Sequence, residues 1–300
     1  MKWIRELAPH PDRSRLYRNA MIITLGGNLV LAVTKGFVAW VSGSAAVYSD
    51  AANSVSDVIY SLLMVLGLWV ATRPPDLSHP QGHERFEPLV GLAVSIAMAF
   101  AGYEAARNAL ERYREASLAP ITLDLPTLVL LASAAIKGGM FVWIRRIGAQ
   151  LHSPTLTTSA RDNLSDVLTS IAAFLGVLGS NLIHPLADPI AGFVVAAWIF
   201  RQVFIAAREN LGFLTGKGVS EEELKALASA AAGVPGVIKV HHIITDYVGP
   251  RLMVDLHINV DGNITVHQAH EISDNVTRTL ESMPQVDRAY VHIEPHDWVD

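Results

Sequence analysis

Ser49-Asp50-Ala51-Ala52-Asn53-Ser54-Val55-Ser56-Asp57 lies inside a long apolar run, and it has an echo. Thr158-Ser159-Ala160-Arg161-Asp162-Asn163-Leu164-Ser165-Asp166 repeats the pattern at the head of another apolar run. Each copy sets two oxygen-bearing side chains at i and i+4, one helical turn apart and so on one face. If both runs cross a bilayer, one amide (Asn53) and three carboxylates (Asp57, Asp162, Asp166) sit where water is scarce. Each carboxylate costs roughly 2.5–3.5 kcal/mol at mid-membrane, and three cost on the order of 8–10 kcal/mol. A divalent cation would offset that cost. Capping or helix-to-helix hydrogen bonding is the blander role for such residues. Two matched pairs, rather than one isolated acid, weigh against it.

Composition agrees with a membrane setting. The chain has 300 residues, of which 51% are hydrophobic and only 17% charged, and its mean hydropathy is +0.32. Soluble domains carry about 25% charged residues. The apolar weight falls on residues 20–212, so two domains are expected: 1–212 crossing the membrane and 213–300 outside it. The net charge of −5 argues against nucleic acid as a partner. The lack of cysteine excludes disulfides and thiolate metal sites. The polar start of the chain has no short apolar region with a cleavage site, which argues against a removed signal peptide.

Six spans are expected near 19–42, 45–71, 86–107, 123–144, 154–182 and 186–207. Lysine and arginine gather before the first span, in the 2–3 and 4–5 loops and after the sixth. Arg107, Arg112 and Arg114 of the 3–4 loop are the exception. This distribution places both termini in the cytoplasm. The matched motifs in spans two and five suggest two three-helix halves. Beyond Gly212 the pattern becomes that of a small soluble αββαβ domain: helix 221–232, strands 237–245 and 252–260 around Gly249-Pro250, helix 266–283, strand 289–293. The expected fold class is therefore a membrane all-α six-helix bundle plus a small cytoplasmic α/β domain.

The ligand types narrow the chemistry. All-oxygen ligation suits hard ions such as Mn²⁺ and Mg²⁺ better than zinc. Clustered carboxylates raise one another's proton affinity, so metal entry would expel protons and metal exit would readmit them. Asp76, His79 and His83 form a second grouping after span two. It could bind metal, or it could cap a helix. The tail holds seven of the twelve histidines. His241 and His257 fall on neighbouring expected strands, with His292 and Glu294 on a third, so they could converge at one sheet end.

On these residues the chain resembles the cation diffusion facilitator family of divalent-metal/proton antiporters, over essentially its whole length. The residues that carry the likeness are Ser44-Ala45 and Asp50 leading into Asn53-x-x-x-Asp57, the partner Asp162-x-x-x-Asp166, and His79-Pro-Gln-Gly-His83-Glu-Arg-Phe-Glu87. The resemblance implies a homodimer in a cell (inner or plasma) membrane, with no organic cofactor and no enzymatic activity. It would export metal by alternating access through Asn53, Asp57, Asp162 and Asp166. It also implies a cytoplasmic loop site at Asp76, His79 and His83, and a regulatory metal cluster at His241, His257, His270, His292 and Glu294. Zinc-type members place histidine first in one or both pairs. Asn53 and Asp162 here are similar to the manganese-exporting branch, with Zn²⁺, Fe²⁺, Co²⁺ and Cd²⁺ as the alternatives. Family members also pair an acid just after span six with a base of the 2–3 loop, and no acid stands around Leu214–Lys217. Arg85 and Glu87 are expected to make interfacial ion pairs.

Three rivals belong to other classes. A membrane-anchored metal sensor would move no ion. An intramembrane metal hydrolase needs a labile water and a general base, and no span carries histidine. In a channel, four such ligands would hold the ion too tightly for fast conduction.

Overall fold

The computed structural model describes residues 11–42, 45–115, 125–182, 184 and 186–296. Ser44 lies outside them, as do Lys2 and Arg5 of the basic N-terminal stretch and Pro120 of the 3–4 connection. The side chain of Asp50 is likewise outside the description.

Six long helices come first: α1 (Pro11–Ser42), α2 (Ala45–Ala71), α3 (Phe86–Glu115), α4 (Leu125–Leu151), α5 (Pro154–Leu182) and α6 (Ala187–Leu214). Helices α2 and α5 coincide with the expected spans, while α1, α3, α4 and α6 run about two turns past theirs at one end, because an apolar run marks only the stretch in lipid while the helix continues into water. Among the described residues α1, α2, α3 and α6 are long and apolar enough to cross a membrane. Helices α4 and α5 carry charges within their length, Lys137 in α4 and Arg161, Asp162 and Asp166 in α5. Helix α1 packs on α2 and α4, α4 on α5, and α3 on α2 and α5.

The bundle buries an apolar cluster that includes Met64, Leu68, Ile144 and Leu156, but it departs from a water-soluble protein in what else it buries and in what it exposes. Its buried side chains include Thr24, Asn28, Lys35, Ser61, Ser95, Lys137, Ser159 and Asn163, while Phe37, Trp40, Leu66, Trp69, Phe100 and Phe204 face outward. Exposed large apolar side chains all round a bundle are what a lipid surround demands, since the backbone is already satisfied within each helix. This part of the chain is an integral membrane domain.

At one end of the bundle three helices meet on Glu87. Its carboxylate is fully buried and accepts hydrogen bonds from the Tyr17 hydroxyl (2.7 Å) and from Ser153. Thr155 donates to its carbonyl. Glu87 therefore ties α1, α3 and α5 together inside one chain, and does not make the interfacial ion pair expected of it. Near the same helices Asn210 is buried and donates to Thr158 Oγ1 (2.9 Å). A Cβ at position 91 would collide with the Asn210 side chain, so a larger residue there would have to displace that buried amide.

The chain divides into two compact units, the first ending at Leu211 and the second beginning at Gly212. The second unit holds α7 (Glu221–Ala232), β1 (Lys239–Val248), β2 (Arg251–Val260), α8 (Val266–Glu281) and β3 (Val286–Pro295), the αββαβ order read from the pattern. Ser220 and Thr265 open the two helices with capping boxes to Glu223 and Gln268. Gly249, with φ +62°, turns β1 into antiparallel β2. Helix α8 then crosses over so that β3 pairs parallel to β2, and the sheet order is β1-β2-β3. Strict alternation puts Leu252, Val254, Leu256 and Ile258 under the helices, packed on Leu227, Val276 and Leu280. The opposite face keeps His257, His292 and Glu294.

Candidate metal centres

Helices α2 and α5 carry the paired motifs, and their acids approach one another inside the bundle. The tie between them is a lysine from a third helix. The Lys137 ammonium lies 2.9 Å from Asp57 Oδ2 and 2.7 Å from Asp166 Oδ2. Lys137 is only 5% exposed. Asp162, one turn before Asp166, is close enough to feel the charges of Asp57, Asp166 and Lys137. Asn53, one turn before Asp57, is exposed.

The three aspartates are not drawn to a single ion's coordination radius. Among the described residues, the only groups of three or more acid or imidazole ligands lying within 4.8 Å of one another belong to the loop and the tail. A cavity beside the acids is lined by Thr24 and Asn28 of α1, Asp57 and Ser61 of α2, and Asp162 and Asn163 of α5. Asn28 donates to Ser61 Oγ (2.7 Å). Thr24 Oγ1, Asn28 Oδ1 and Asn163 Oδ1 are buried with no hydrogen-bond partner. Oxygen atoms left this way cost about 1–3 kcal/mol each unless water or a cation meets them, so the pocket's chemistry fits a hydrated cation. Each motif's spacing holds its two oxygen-bearing side chains on one face, while the serines four residues after each second acid (Ser61 to the Asp57 carbonyl, 2.7 Å; Ser170 to the Asp166 carbonyl, 3.0 Å) fold their hydroxyls back onto the helix.

Between α2 and α3, Asp76 and the two histidines converge. Asp76 Oδ1 accepts from the backbone N–H of His79 (2.7 Å) and of Ser78 (2.9 Å), which fixes the turn. Asp76 Oδ2 lies 3.4 Å from His83 Nε2, and Asp76 Oδ1 lies 3.5 Å from His79 Nδ1. The imidazoles are 4.5 Å apart and pack on Phe86. The His79 backbone N–H holds the Asp76 carboxyl below the usual carboxylate range. His83 is buried, and its Nδ1 has no partner. An ionised carboxylate beside two imidazoles is a donor set that Zn²⁺ or Mn²⁺ accepts.

In the tail, Glu294 of β3 is the hub. His241 Nε2 lies 3.0 Å from its Oε2 and His257 Nδ1 lies 3.0 Å from its Oε1. The His292 ring lies tilted against that of His257, 4.7 Å between centroids, with its Nε2 3.7 Å from Glu294. His270 is not part of this group. It sits on α8, exposed, 3.8 Å from Asp274, and α8 covers the sheet's other face through Val276 and Leu280. A residue that sequence reasoning passed over joins instead: His242 lies 4.9 Å from the His257 ring. A bulge between Val240 and His242 breaks the two-residue alternation there, bringing both His241 and His242 near His257.

Lys137 was missed as well, although the signal was present: a lone lysine in an apolar span needs an anionic neighbour. The acid sought just after span six is not there. Glu209, inside α6, pairs instead with Arg161 of α5 at 2.5 Å.

The bundle and its acids define an integral membrane protein built to hold a cation, and comparison with known proteins agrees. Residues 21–215 match the family described as "Cation efflux transmembrane domain", and residues 219–296 match "Cation efflux protein, cytoplasmic domain". The chain belongs to this cation efflux, or cation diffusion facilitator, family. It is 34% identical over 274 residues to an uncharacterized transporter of Methanocaldococcus jannaschii, covering 91% of this chain and 96% of that protein. It is 30% identical over 264 residues to the magnetosome protein MamM of Magnetospirillum gryphiswaldense, covering 85% and 80% respectively. It is 25% identical over 290 residues to the manganese efflux system protein MneS of Bacillus subtilis, covering 95% and 97%. Among solved structures, a MamM C-terminal domain matches 26% of this chain and all of its own at 31% identity, with a TM-score of 0.26.

Proposed function

We propose that this metal cation efflux transporter carries Mn²⁺ out of the cytoplasm in exchange for protons, as a homodimer in the cell membrane with both termini cytoplasmic. Asn53, Asp57, Asp162 and Asp166 form its transport site. One observation carries the reading: an acid from each repeated motif, Asp57 and Asp166, contacts the same buried ammonium inside the bundle, so a cation already stands between the two motifs. A divalent ion placed there would take oxygens from α2 and α5 at once. Asn53 is exposed and the acids stand apart, so completing the shell takes a shift of α2 against α5. Alternating access supplies a movement of that kind, and the ion's tighter grip on the closed arrangement would drive it. Protons returning to the aspartates would then release the ion.

The choice of manganese rests on the oxygen-only ligands and on relatives named as manganese efflux proteins. Zn²⁺ and Fe²⁺ are the alternatives. Asp76, His79 and His83 form a loop site, and His241, His257, His292 and Glu294 form a tail site. Both would hold resident Zn²⁺ or Mn²⁺. The tail, residues 213–300, would sense cytoplasmic metal and tighten the dimer. Its deletion should weaken apparent affinity without changing which ion moves.

Metal competition in proteoliposomes tests the assignment. The wild type should take up Mn²⁺ against an excess of Mg²⁺, with counterflow of protons, and Asn53→His should move preference towards Zn²⁺. A wild type that ignores Mn²⁺ overturns the ion. A wild type that moves no divalent ion, while its tail still binds one, would make the chain a membrane-anchored sensor.

A further inference from the structure

We infer that Lys137 is a tethered counter-cation that competes with the transported ion for Asp57 and Asp166, and so sets how tightly the carrier holds its cargo. This rests on the transport reading above.

Lys137 stands near the middle of α4, with its ammonium 2.9 Å from Asp57 Oδ2 and 2.7 Å from Asp166 Oδ2. These are one oxygen from each of the two repeated motifs, the atoms a metal bridging α2 and α5 would need. A small divalent ion binds carboxylate oxygen at about 2.0–2.2 Å, so the ammonium occupies the same shell. Like charges confined to one such shell in a water-poor interior repel strongly. Ion and ammonium therefore exchange rather than coexist. The surroundings give the side chain few other anions to turn to: Asp162 is the remaining acid facing this gap, while Lys35 of α1 adds positive charge near Asp57.

Two consequences follow. First, the empty site is never a bare cluster of three carboxylates, because the ammonium returns as the ion leaves. Ejection is helped by an internal cation as well as by protons. Second, the tether gives the ammonium a high effective concentration at the acids. A monovalent ion of equal charge gains little over it, whereas a doubly charged ion does. Lys137 thus favours divalent cargo over Na⁺ or K⁺ without touching the ion itself, acting as a specificity-determining residue.

The test uses the full chain in lipid nanodiscs. Mn²⁺ affinity is taken from the binding component that Asp57→Asn removes, which sets the loop and tail sites aside. Lys137→Met keeps length and removes charge. It should bind Mn²⁺ at least about ten-fold tighter, turn over more slowly in proteoliposomes, and bind Na⁺ measurably. Lys137→Arg keeps the charge and should not tighten. Unchanged or weaker Mn²⁺ binding in Lys137→Met overturns the proposal. If that variant folds poorly without metal, saturating Mn²⁺ should restore its melting midpoint to that of the wild type, since the ion replaces the lost charge. Failure to recover overturns the proposal too. Wild-type Mn²⁺ flux with an indifferent Lys137→Met would sink this inference alone, whereas a wild type without divalent flux would sink the transport reading as well.

Discussion

Both halves of the chain bury an apolar cluster, but they differ in where they put their polar groups and their largest apolar side chains. In the tail, Leu252, Val254, Leu256 and Ile258 are fully buried and the charges face water. In the bundle, Trp40 is 73% and Phe204 is 68% exposed, while Lys35, Asn28, Asn163 and Lys137 are inside. The difference lies in the solvent each half is built for. Water drives apolar surface inward at roughly 25 cal/mol per Å². Lipid gives no such drive, so helices there can be held by polar contacts and close packing. The bundle can therefore keep a charged interior of the kind that transport needs, while the tail's metal ligands must lie on a surface.

The sharpest way to break this comparison is at the acids. Asp57→Ala should abolish divalent flux in proteoliposomes, a loss of at least about 100-fold given that even outer-shell changes cost 10–100-fold in metal sites. Helix content by circular dichroism should be retained. His257→Ala in the tail should lower apparent affinity and leave maximal flux in place. If the two variants behave alike, the interior acids have no privileged role.

Truncation of apolar side chains comes next. Leu256→Ala should cost about 2–5 kcal/mol in the tail, through lost transfer energy and the cavity left behind. Phe204→Ala, facing outward from the bundle, should stay within about 0.5 kcal/mol. Melting of the full chain, with hydrogen exchange to separate the halves, reads both. A large loss at Phe204 would mean that this face packs on protein rather than lipid.

How far the letters alone reveal this fold depends on which half is read. Tail elements were legible because period-two alternation, capping residues and Gly249-Pro250 are local signals, and α7 falls on the residues expected. The bundle's helices were legible by hydropathy, with α2 and α5 ending where expected, but one end of α1, α3, α4 and α6 was not, since those helices outrun the apolar stretch. The motif spacing showed that Asn53 and Asp57 share one helix face, and Asp162 and Asp166 another. It could not show that Lys137, from a span without a motif, would lie between them, because contacts across helices leave no period in the sequence. His242 was hidden for another reason. Adjacent residues on a strand point to opposite faces, and only the bulge brings it round to His257. Glu87, placed at an interface by its charge, turned out to be the buried tie of three helices.

The smallest effect separates the two solvents through one chemical change. Ser220 caps α7 in water: its Oγ accepts from the Glu223 N–H at 3.3 Å, and Glu223 reaches back to the Ser220 N–H at 3.0 Å. Ser220→Ala should cost about 1 kcal/mol, the usual value of a cap, because water takes over the freed N–H. Ser153 caps α5 in the same way, accepting from the Leu156 N–H at 3.1 Å, but its hydroxyl also donates to the buried Glu87. Ser153→Ala removes the cap and one donor to the buried Glu87, which is only 1% exposed, adding about 1–3 kcal/mol. Hydrogen exchange of the first-turn amides of α5 and α7 should therefore respond unequally, with the larger loss of protection at α5. Equal losses would mean that water reaches Glu87, and the tie between α1, α3 and α5 would then be open to solvent.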